Sequence, residues 1–170
     1  MKVLCELNDQ VIMGQDNGRS SKPLRLTARG IVQNQDGLYA VMYAEKFNLH
    51  SLPGGGLEGN EDILTALRRE ILEETGCTCD EIRELGLVEE NRGAQDYTQK
   101  SYYFVVNTNS TPSHNHLTVE EAANGTIVKW VPLQDMVRLI CDIVHPNLQR
   151  KYLQARDAAA LKEYLSELDK

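Results

Sequence analysis

Short segments in which apolar residues alternate with polar ones, or run together between turn-forming residues, predict β-strands along much of the chain. Five segments have this pattern: residues 24–32, 38–44, 82–90, 97–107 and 126–131. The first two flank Asp36-Gly37, a pair that favours a tight hairpin turn, and Pro132 closes the last segment. Residues 1–13 are predicted to add edge strands. The chain is therefore expected to contain a β-sheet.

Helical periodicity predicts three helices, near residues 61–75, 133–144 and 147–168. In the first of these, Asn60 is predicted to cap the N-terminus and Gly76 to end the helix. At about 100° per residue, Glu70 and Glu74 fall within roughly 60° of Leu67, on the stripe that an amphipathic helix normally buries. A solvated helix would place its acids on the opposite face. Two carboxylates are therefore predicted to point towards the interior.

Glu73 lies beside Glu74 and near Glu70, so three negative charges are predicted to crowd together. Two unit charges about 4 Å apart repel by roughly 1 kcal/mol in bulk water and by about 4 kcal/mol at an effective dielectric near 20. A cation would relieve this repulsion, and carboxylates clustered without His or Cys suit Mg²⁺ or Mn²⁺. The glycine run at residues 54–56 gives a backbone that a ligand can approach closely. Metal-assisted phosphate chemistry is the hypothesis that follows.

Residues 55–77 carry the pattern G-x5-E-x7-R-E-U-x-E-E-x-G-U, in which U is a bulky apolar residue. The matching positions are Gly55, Glu61, Arg69, Glu70, Ile71, Glu73, Glu74 and Gly76. Cys77 takes the last apolar position, and cysteine packs as a small hydrophobe. This pattern is the signature of the Nudix hydrolases, and the chain therefore resembles that family.

The resemblance implies an α/β fold, a Nudix-like α/β/α sandwich in which helices cover both faces of a mixed β-sheet. It also implies hydrolysis of a nucleoside diphosphate linked to another group, with water attacking a phosphorus atom of the pyrophosphate. The implied cofactor is Mg²⁺, for which Mn²⁺ can substitute. The implied metal ligands are the carboxylates of Glu70, Glu73 and Glu74, helped by a backbone carbonyl of Gly54 or Gly55.

By the same resemblance, the catalytic set is Glu70, Arg69 and Glu73. Glu70 is the first choice for the group that takes the proton from water, and Arg69 is expected to orient carboxylates rather than to touch substrate. Glu120 and Glu121 form an acidic pair just before the last predicted strand. They are candidates for an extra base or metal ligand, and the alternative is that they belong to a solvated loop.

Arg29, Arg92 and Tyr97 are candidates for contacts with the substrate, and Arg25 is a further cationic candidate for a phosphate or ribose. Tyr97 lies in the region where family members that act on dinucleoside polyphosphates use a tyrosine. The family's subgroup motif for ADP-ribose, a proline soon after the signature, is not met, since the first proline there is Pro112. The motif for coenzyme A is expected just ahead of the glycine run, where this chain has Glu45-Lys46-Phe47-Asn48 instead. The sequence indicates a small nucleotide-type substrate and no particular subgroup.

The composition is that of one globular domain spanning residues 1–170, with 41% hydrophobic and 25% charged residues. A formal net charge of −7 disfavours binding to a nucleic-acid polymer or an anionic membrane. The chain has no basic, apolar signal segment and no apolar run of bilayer length, so a cytoplasmic location is expected. The apolar N-terminal segment and the final helix could support a homodimer.

Four cysteines are too few and too scattered for a disulfide framework in a chain of this length. A zinc site formed by Cys77, Cys79, His114 and His116 is disfavoured, because one residue between the cysteines is shorter than the usual ligand spacing. Two other classes of function stay open. One is a non-catalytic Nudix-like module that binds a nucleotide, and the other is a protein-interaction surface on the acidic helix.

Overall fold

A computed structural model describes residues 1–110 and 117–170. Eight strands of these ranges form one sheet: β1 (Val3–Asn8), β2 (Arg25–Asn34), β3 (Tyr39–Ala44), β4 (Leu49–Ser51), β5 (Gly54–Gly56), β6 (Glu81–Arg92), β7 (Tyr97–Thr108) and β8 (Thr126–Val131). The α-helices in the same ranges are α1 (Asp9–Met13), α2 (Ile63–Thr75), α3 (Val119–Ala123), α4 (Leu133–Cys141) and α5 (Leu148–Leu168), and two short 3-10 helices span Glu45–Phe47 and Gly93–Gln95. His114 and His116, considered above as zinc ligands, lie outside the described residues, as does Pro112.

The sheet is mixed, with strand order β1-β6-β7-β2-β3-β4, while β5 pairs with β2 and β8 pairs with β3. The β1–β6 and β2–β7 pairs are parallel, whereas β6–β7 and β3–β8 are antiparallel. The predicted hairpin turn is present, because Asn34 donates its N–H to the Leu38 carbonyl at 2.9 Å. The strands β2 and β3 pair only at Gln33 and Tyr39 among the described residues, and the rest of β2 pairs with β5 and β7. The pairing with β5 makes the glycine run part of the sheet.

Helices cover both faces of this sheet, as the family resemblance implies. On one face, α2 buries Ala66, Leu67 and Ile71 in a cluster with Phe104 and Val106 of β7. On the other face, α4 and α5 pack on β2, β3 and β7 in a second cluster, whose members include Ile31, Tyr39, Val41, Tyr103, Met136, Ile140, Tyr152, Leu161 and Tyr164. Burial of such large apolar side chains stabilises the fold by about 1.5–3 kcal/mol each. The sheet therefore separates two apolar layers and fixes α2 and α5 on opposite sides.

The ends of α2 differ in part from the prediction. Asp62, not Asn60, caps the helix, because its carboxylate accepts a hydrogen bond from the Thr65 N–H at 2.8 Å. Asn60 is displaced from the cap because a turn precedes the helix, in which Glu61 donates its N–H to the Glu58 carbonyl at 3.0 Å. Gly76 ends the helix as predicted, in the left-handed conformation with φ 71°.

The N-terminal segment also differs from the prediction of edge strands alone. It contains one strand, β1, followed by the short helix α1, whose N-cap is Asn8. At the other end of the chain, α4 stops at Cys141, three residues earlier than predicted. In the described ranges, no helix combines the length and the apolar character needed to cross a bilayer.

Candidate active site

The glycine run forms β5, which lies antiparallel to residues 27–29 of β2. Gly54 has φ 131°, a conformation that other residues rarely adopt, and a Cβ at this position would lie 2.2 Å from the Ala28 carbonyl oxygen. Just before it, the Leu52 N–H donates to the Asp157 carboxylate of α5 at 3.0 Å. The backbone of β5 is therefore held against β2 by close packing and anchored from the opposite side of the sheet by α5.

Two acids of α2 face this strand. Glu74 is 7% exposed, and its carboxylate accepts a hydrogen bond from the Gly54 N–H at 2.6 Å. A Cβ at Gly55 would lie 2.3 Å from Glu70 Oε1, so the Glu70 carboxylate fills the space that glycine leaves. The inward orientation predicted from helical periodicity is confirmed for Glu70 and Glu74. Glu73 lies at the rim, with 36% of its side chain exposed.

Arg69 connects the acids of the signature to one another. Its Nε and Nη2 atoms donate to the two carboxylate oxygens of Glu61 at 2.8 and 3.0 Å. Its Nη1 atom donates to Glu70 at 2.9 Å and to Glu73 at 3.1 Å, and Nη2 also donates to the Gly56 carbonyl at 2.9 Å. The guanidinium thus fixes α2, the preceding turn and β5 relative to one another. Its hydrogen bonds are the main cause that lowers the pKa of Glu61 to about 2.

The buried acids are not fully compensated by positive charge. Burial raises the pKa of Glu74 to about 8, although the Gly54 N–H and the nearby Arg29 both oppose the rise. The negative charges of Glu70 and Glu121 add to it. Burial also raises the pKa of Glu70 above its ordinary value. A proton or a cation is therefore needed to neutralise this part of the molecule.

The carboxylates fit a hard divalent cation in their chemistry, since they offer oxygen donors around an uncompensated buried charge. No three His, Cys, Asp or Glu side chains in the described part of the chain already converge on one position where an ion could bind. Arg69 holds Glu70 and Glu73, while the Gly54 N–H holds Glu74. Each of these bonds uses one carboxylate oxygen, so coordination of a cation requires rotations that bring the second oxygens of the acids together.

Glu120 and Glu121 lie on the short helix α3 rather than in a solvated loop. Glu121 accepts hydrogen bonds at 2.7 Å from both the backbone N–H and the hydroxyl of Thr118, and it thereby caps the start of that helix. Its charge acts on Glu74. The side chain of Glu120 is not among those that the structure describes. The fold brings Glu121 near the acids of α2.

The predicted substrate contacts Arg29, Arg92 and Tyr97 come together in one cleft of about 320 Å³ on the α5 side of the sheet. Arg29 donates to the Leu52 carbonyl at 3.2 Å. Arg92 is buried: it pairs with Glu90 at 2.6 Å, and its guanidinium lies 4.7 Å from the centre of the Tyr97 ring. Because these two contacts hold its guanidinium in place, Arg92 lines the cleft as a fixed side chain and is not free to move towards a ligand.

The pair Arg156 and Asp157 on α5 was missed by the sequence reasoning. Asp157 accepts hydrogen bonds from Arg156 Nε at 2.9 Å and from the Tyr103 hydroxyl at 2.5 Å, in addition to the Leu52 N–H. Burial raises the pKa of Asp157, but the neighbouring guanidinium groups and these hydrogen bonds together leave it lowered. A signal was present, because Asp157 precedes the apolar Leu161 by one helical turn and so shares its buried stripe.

Comparison with known proteins agrees with this geometry. The NUDIX domain family model matches residues 23–153 of the chain. A NUDIX hydrolase from Nitrosomonas europaea superposes with a TM-score of 0.61 at 19% identity, covering 86% of this chain and 90% of that one. The ORF135 protein of E. coli gives 0.58 at 16% identity, over 86% and 91% of the two chains. The MutT protein of Methanosarcina mazei Go1 gives 0.56 at 17% identity, over 88% and 99%.

The search of curated protein sequences gave no match. At identities below 20%, the three structural matches show a common fold, with the same mixed sheet between helices. The family model covers well over half of the chain and includes the whole signature at residues 55–77. The chain therefore belongs to the Nudix hydrolase family, whose members cleave nucleoside diphosphates linked to other groups.

Proposed function

We propose that this chain uses Mg²⁺ to hydrolyse a phosphoric anhydride bond in a small nucleotide-type substrate. The observation that carries the proposal is the pair of inward-facing acids Glu70 and Glu74, which lie against the glycine strand with raised pKa values. Burial of two like charges destabilises a fold unless a positive group neutralises them. A site of this kind is typical of catalysis rather than of structure.

The proposed cation ligands are Glu70, Glu73 and Glu74, with a backbone carbonyl of Gly54 or Gly55. When bound, a divalent cation neutralises charge on the diphosphate and lowers the pKa of the attacking water. Mn²⁺ supplies the same oxygen-binding chemistry and is expected to substitute.

Glu70 is the proposed general base. Its raised pKa brings the carboxylate closer to neutral pH, where it accepts a proton more effectively. Arg69 is a positioning residue, because its hydrogen bonds to Glu70 and Glu73 set the direction of both carboxylates. Glu121, or Glu120 beside it, is proposed as an extra base or cation ligand.

The remainder of the substrate is proposed to lie in the cleft that contains Arg29, Arg92 and Tyr97. Arg29 connects the two parts of the site. The backbone of Arg29 pairs with that of Gly54 across the β2–β5 ladder, and the charge of its guanidinium acts on both Glu70 and Glu74. A substrate whose diphosphate lies at the acids of α2 would therefore extend past Arg29 into the cleft.

The test is release of phosphate or nucleotide from a panel that contains ADP-ribose, dinucleotides, nucleotide sugars, coenzyme A and nucleoside triphosphates. We expect turnover of at least one compound with Mg²⁺ and none with chelator. Glu74→Gln is expected to reduce turnover by at least about 100-fold, because it removes a charge from the cation site. The matched control is Glu84→Gln, at an exposed acid of β6, which should leave turnover unchanged. Full Mg²⁺-dependent turnover by Glu74→Gln would refute the assignment.

Binding of a nucleotide without turnover of any compound would instead support the non-catalytic module.

Three further properties, the single domain, the location in the cell and the homodimer, stay predictions with their own tests. Limited proteolysis that yields no stable fragment would support one domain over residues 1–170. Cell fractionation would test the cytoplasmic location, and sedimentation equilibrium would test the homodimer.

A further inference from the structure

The cleft beside the glycine strand is lined by four arginines: Arg25 and Arg29 of β2, Arg92 of β6 and Arg156 of α5. No carboxylate of the described residues lines it. This concentration of positive charge is notable in a chain whose net charge is −7, since the molecule as a whole repels anions. The cleft is therefore a local site of attraction for negatively charged groups.

Not all of these guanidinium groups are neutralised by neighbours. Arg92 pairs with Glu90, and Arg156 pairs with Asp157. In the described chain, Arg25 and Arg29 form no ion pair within 4.0 Å. Two positive charges of the cleft are thus left without a bonded carboxylate.

Two buried nitrogen atoms of the cleft residues also lack a hydrogen-bond acceptor. Arg156 is 2% exposed, and its Nη2 atom has no partner among the described residues. Arg29 Nε is in the same state. A buried donor left without an acceptor costs about 1–3 kcal/mol, more when it is charged, so an anion that reaches these atoms gains an unusually strong interaction.

The cleft is less suited to a stacked base. Its one aromatic wall in the described part of the chain is Tyr97, whose ring lies against the Arg92 guanidinium. The cleft adjoins the acids of α2 through Arg29, which lines the cleft, pairs with Gly54 across the β2–β5 ladder and acts by its charge on Glu70 and Glu74. A ligand can therefore contact the acidic site and the arginines at once.

We propose that the substrate carries a second anionic group, a phosphate separate from the anhydride that is cleaved, and that Arg25, Arg29 and Arg156 bind it. This inference rests on the proposed function for the anhydride, and it adds the substrate class. Arginine forks match the geometry of phosphate oxygens, and each charge-assisted hydrogen bond strengthens binding by about tenfold or more.

The kinetic test compares substrate pairs that differ by one phosphate ester: coenzyme A with 3′-dephospho-coenzyme A, and NADPH with NADH. We expect kcat/KM to be at least about tenfold higher for the phosphorylated member of at least one pair. Arg25→Gln, at an exposed position, should lower this ratio by about three- to tenfold, because Arg29 and Arg156 remain. Arg138→Gln is the matched control, since Arg138 is an exposed arginine of α4 that pairs only with Asp135 among the described acids, and it should preserve the ratio.

A binding experiment measures the affinity of the cleft for phosphate groups without turnover. Calorimetry in chelator would compare adenosine 3′,5′-bisphosphate with adenosine 5′-monophosphate, neither of which has an anhydride bond. The bisphosphate should bind at least about tenfold more tightly, and this preference should weaken with salt and in both Arg25→Gln and Arg156→Lys. Circular dichroism and melting curves would establish that the variants are folded.

The outcomes separate the two proposals. Turnover with no preference for either phosphorylated compound, together with equal binding of the mono- and bisphosphate, would overturn the second anionic group and leave the hydrolase intact. A preference for the bisphosphate that depends on Arg25, with no turnover of any compound, would support the anionic cleft and overturn the hydrolase.

Discussion

Replacement of Glu74 by glutamine should stabilise the metal-free protein while it abolishes function. The Glu74 carboxylate is buried against β5, and the Gly54 N–H that donates to it can also donate to the amide oxygen of glutamine. The substitution therefore keeps the hydrogen bond and nearly the same volume. What it removes is the ionisable group whose charged form is penalised by burial.

The magnitude follows from the two pKa values. The carboxyl group has an ordinary pKa of 4.5 and a folded-state pKa of about 8. Below pH 4.5 it is protonated in both states and costs nothing. Between these values the unfolded chain ionises while the folded protein stays protonated, so the stability of the wild type falls by about 1.4 kcal/mol for each pH unit. At pH 7.5 the accumulated loss is about 4 kcal/mol at most, and local relaxation would reduce it to about 2–4 kcal/mol.

The assay is urea unfolding of Glu74→Gln and of the wild type in chelator, at pH 4 and pH 7.5. We expect the two proteins to be about equally stable at pH 4, and Glu74→Gln to be about 2–4 kcal/mol more stable at pH 7.5. Glu84→Gln is the control, and its stability should equal that of the wild type at both pH values. Addition of Mg²⁺ should stabilise the wild type at pH 7.5 and have little effect on Glu74→Gln. Equal stabilities at both pH values would refute the reasoning that Glu74 is a penalised buried acid.

Three further predictions concern the surroundings of the site. Gly54→Ala should lower the free energy of unfolding, measured by thermal melting, by at least about 2 kcal/mol and should remove most of the turnover, because its Cβ would collide with the β2 backbone. Gly59→Ala is the control: its Cβ would meet open space, so the free energy of unfolding should fall by only about 1 kcal/mol. Arg69→Gln should lower stability by about 1–3 kcal/mol and turnover by at least about 100-fold, and Arg69→Lys should restore only part of both if the fork geometry matters. His50 is buried, and neither of its ring nitrogens has a hydrogen-bond partner among the described residues. Burial is the main cause that lowers its pKa to about 4, so the free energy of unfolding is unaffected by this group above pH 6.5 and falls as the pH drops towards 4. The stability advantage of His50→Phe over the wild type in urea should therefore grow by about 2–3 kcal/mol between pH 7.5 and pH 4.5.

Features set by neighbouring residues were predictable from the sequence. The hairpin turn at Asp36-Gly37 and the end of α2 at Gly76 depend on backbone conformations of a few adjacent residues. The inward orientation of Glu70 and Glu74 follows from helical periodicity alone, because their positions relative to Leu67 are fixed once the helix forms. The Nudix signature is likewise contained in a continuous segment, so the family could be read without tertiary information.

Local signals that compete could not be ranked from the sequence. Asn60, Glu61 and Asp62 all precede α2, and Asp62 became the cap because the turn at Glu58 and the Arg69 hydrogen bonds occupy Glu61. The strand β5 was also not predicted, since three glycines have no strand propensity of their own. They form a strand because β2 offers unpaired backbone groups and the Leu52 N–H is held by Asp157 of α5.

The sequence by itself determined the family, the acidic face of α2 and most of the strands and helices, because each depends on residues close together in the chain. Only the tertiary structure decided which distant charges meet. Arg25, Arg92 and Arg156 lie on three different elements, and parallel pairing of β2 with β7 and packing of α5 on the sheet bring them to one cleft. The spacing of these arginines along the chain does not predict that they lie close together, since the order of strands in the sheet fixes the positions of the three side chains.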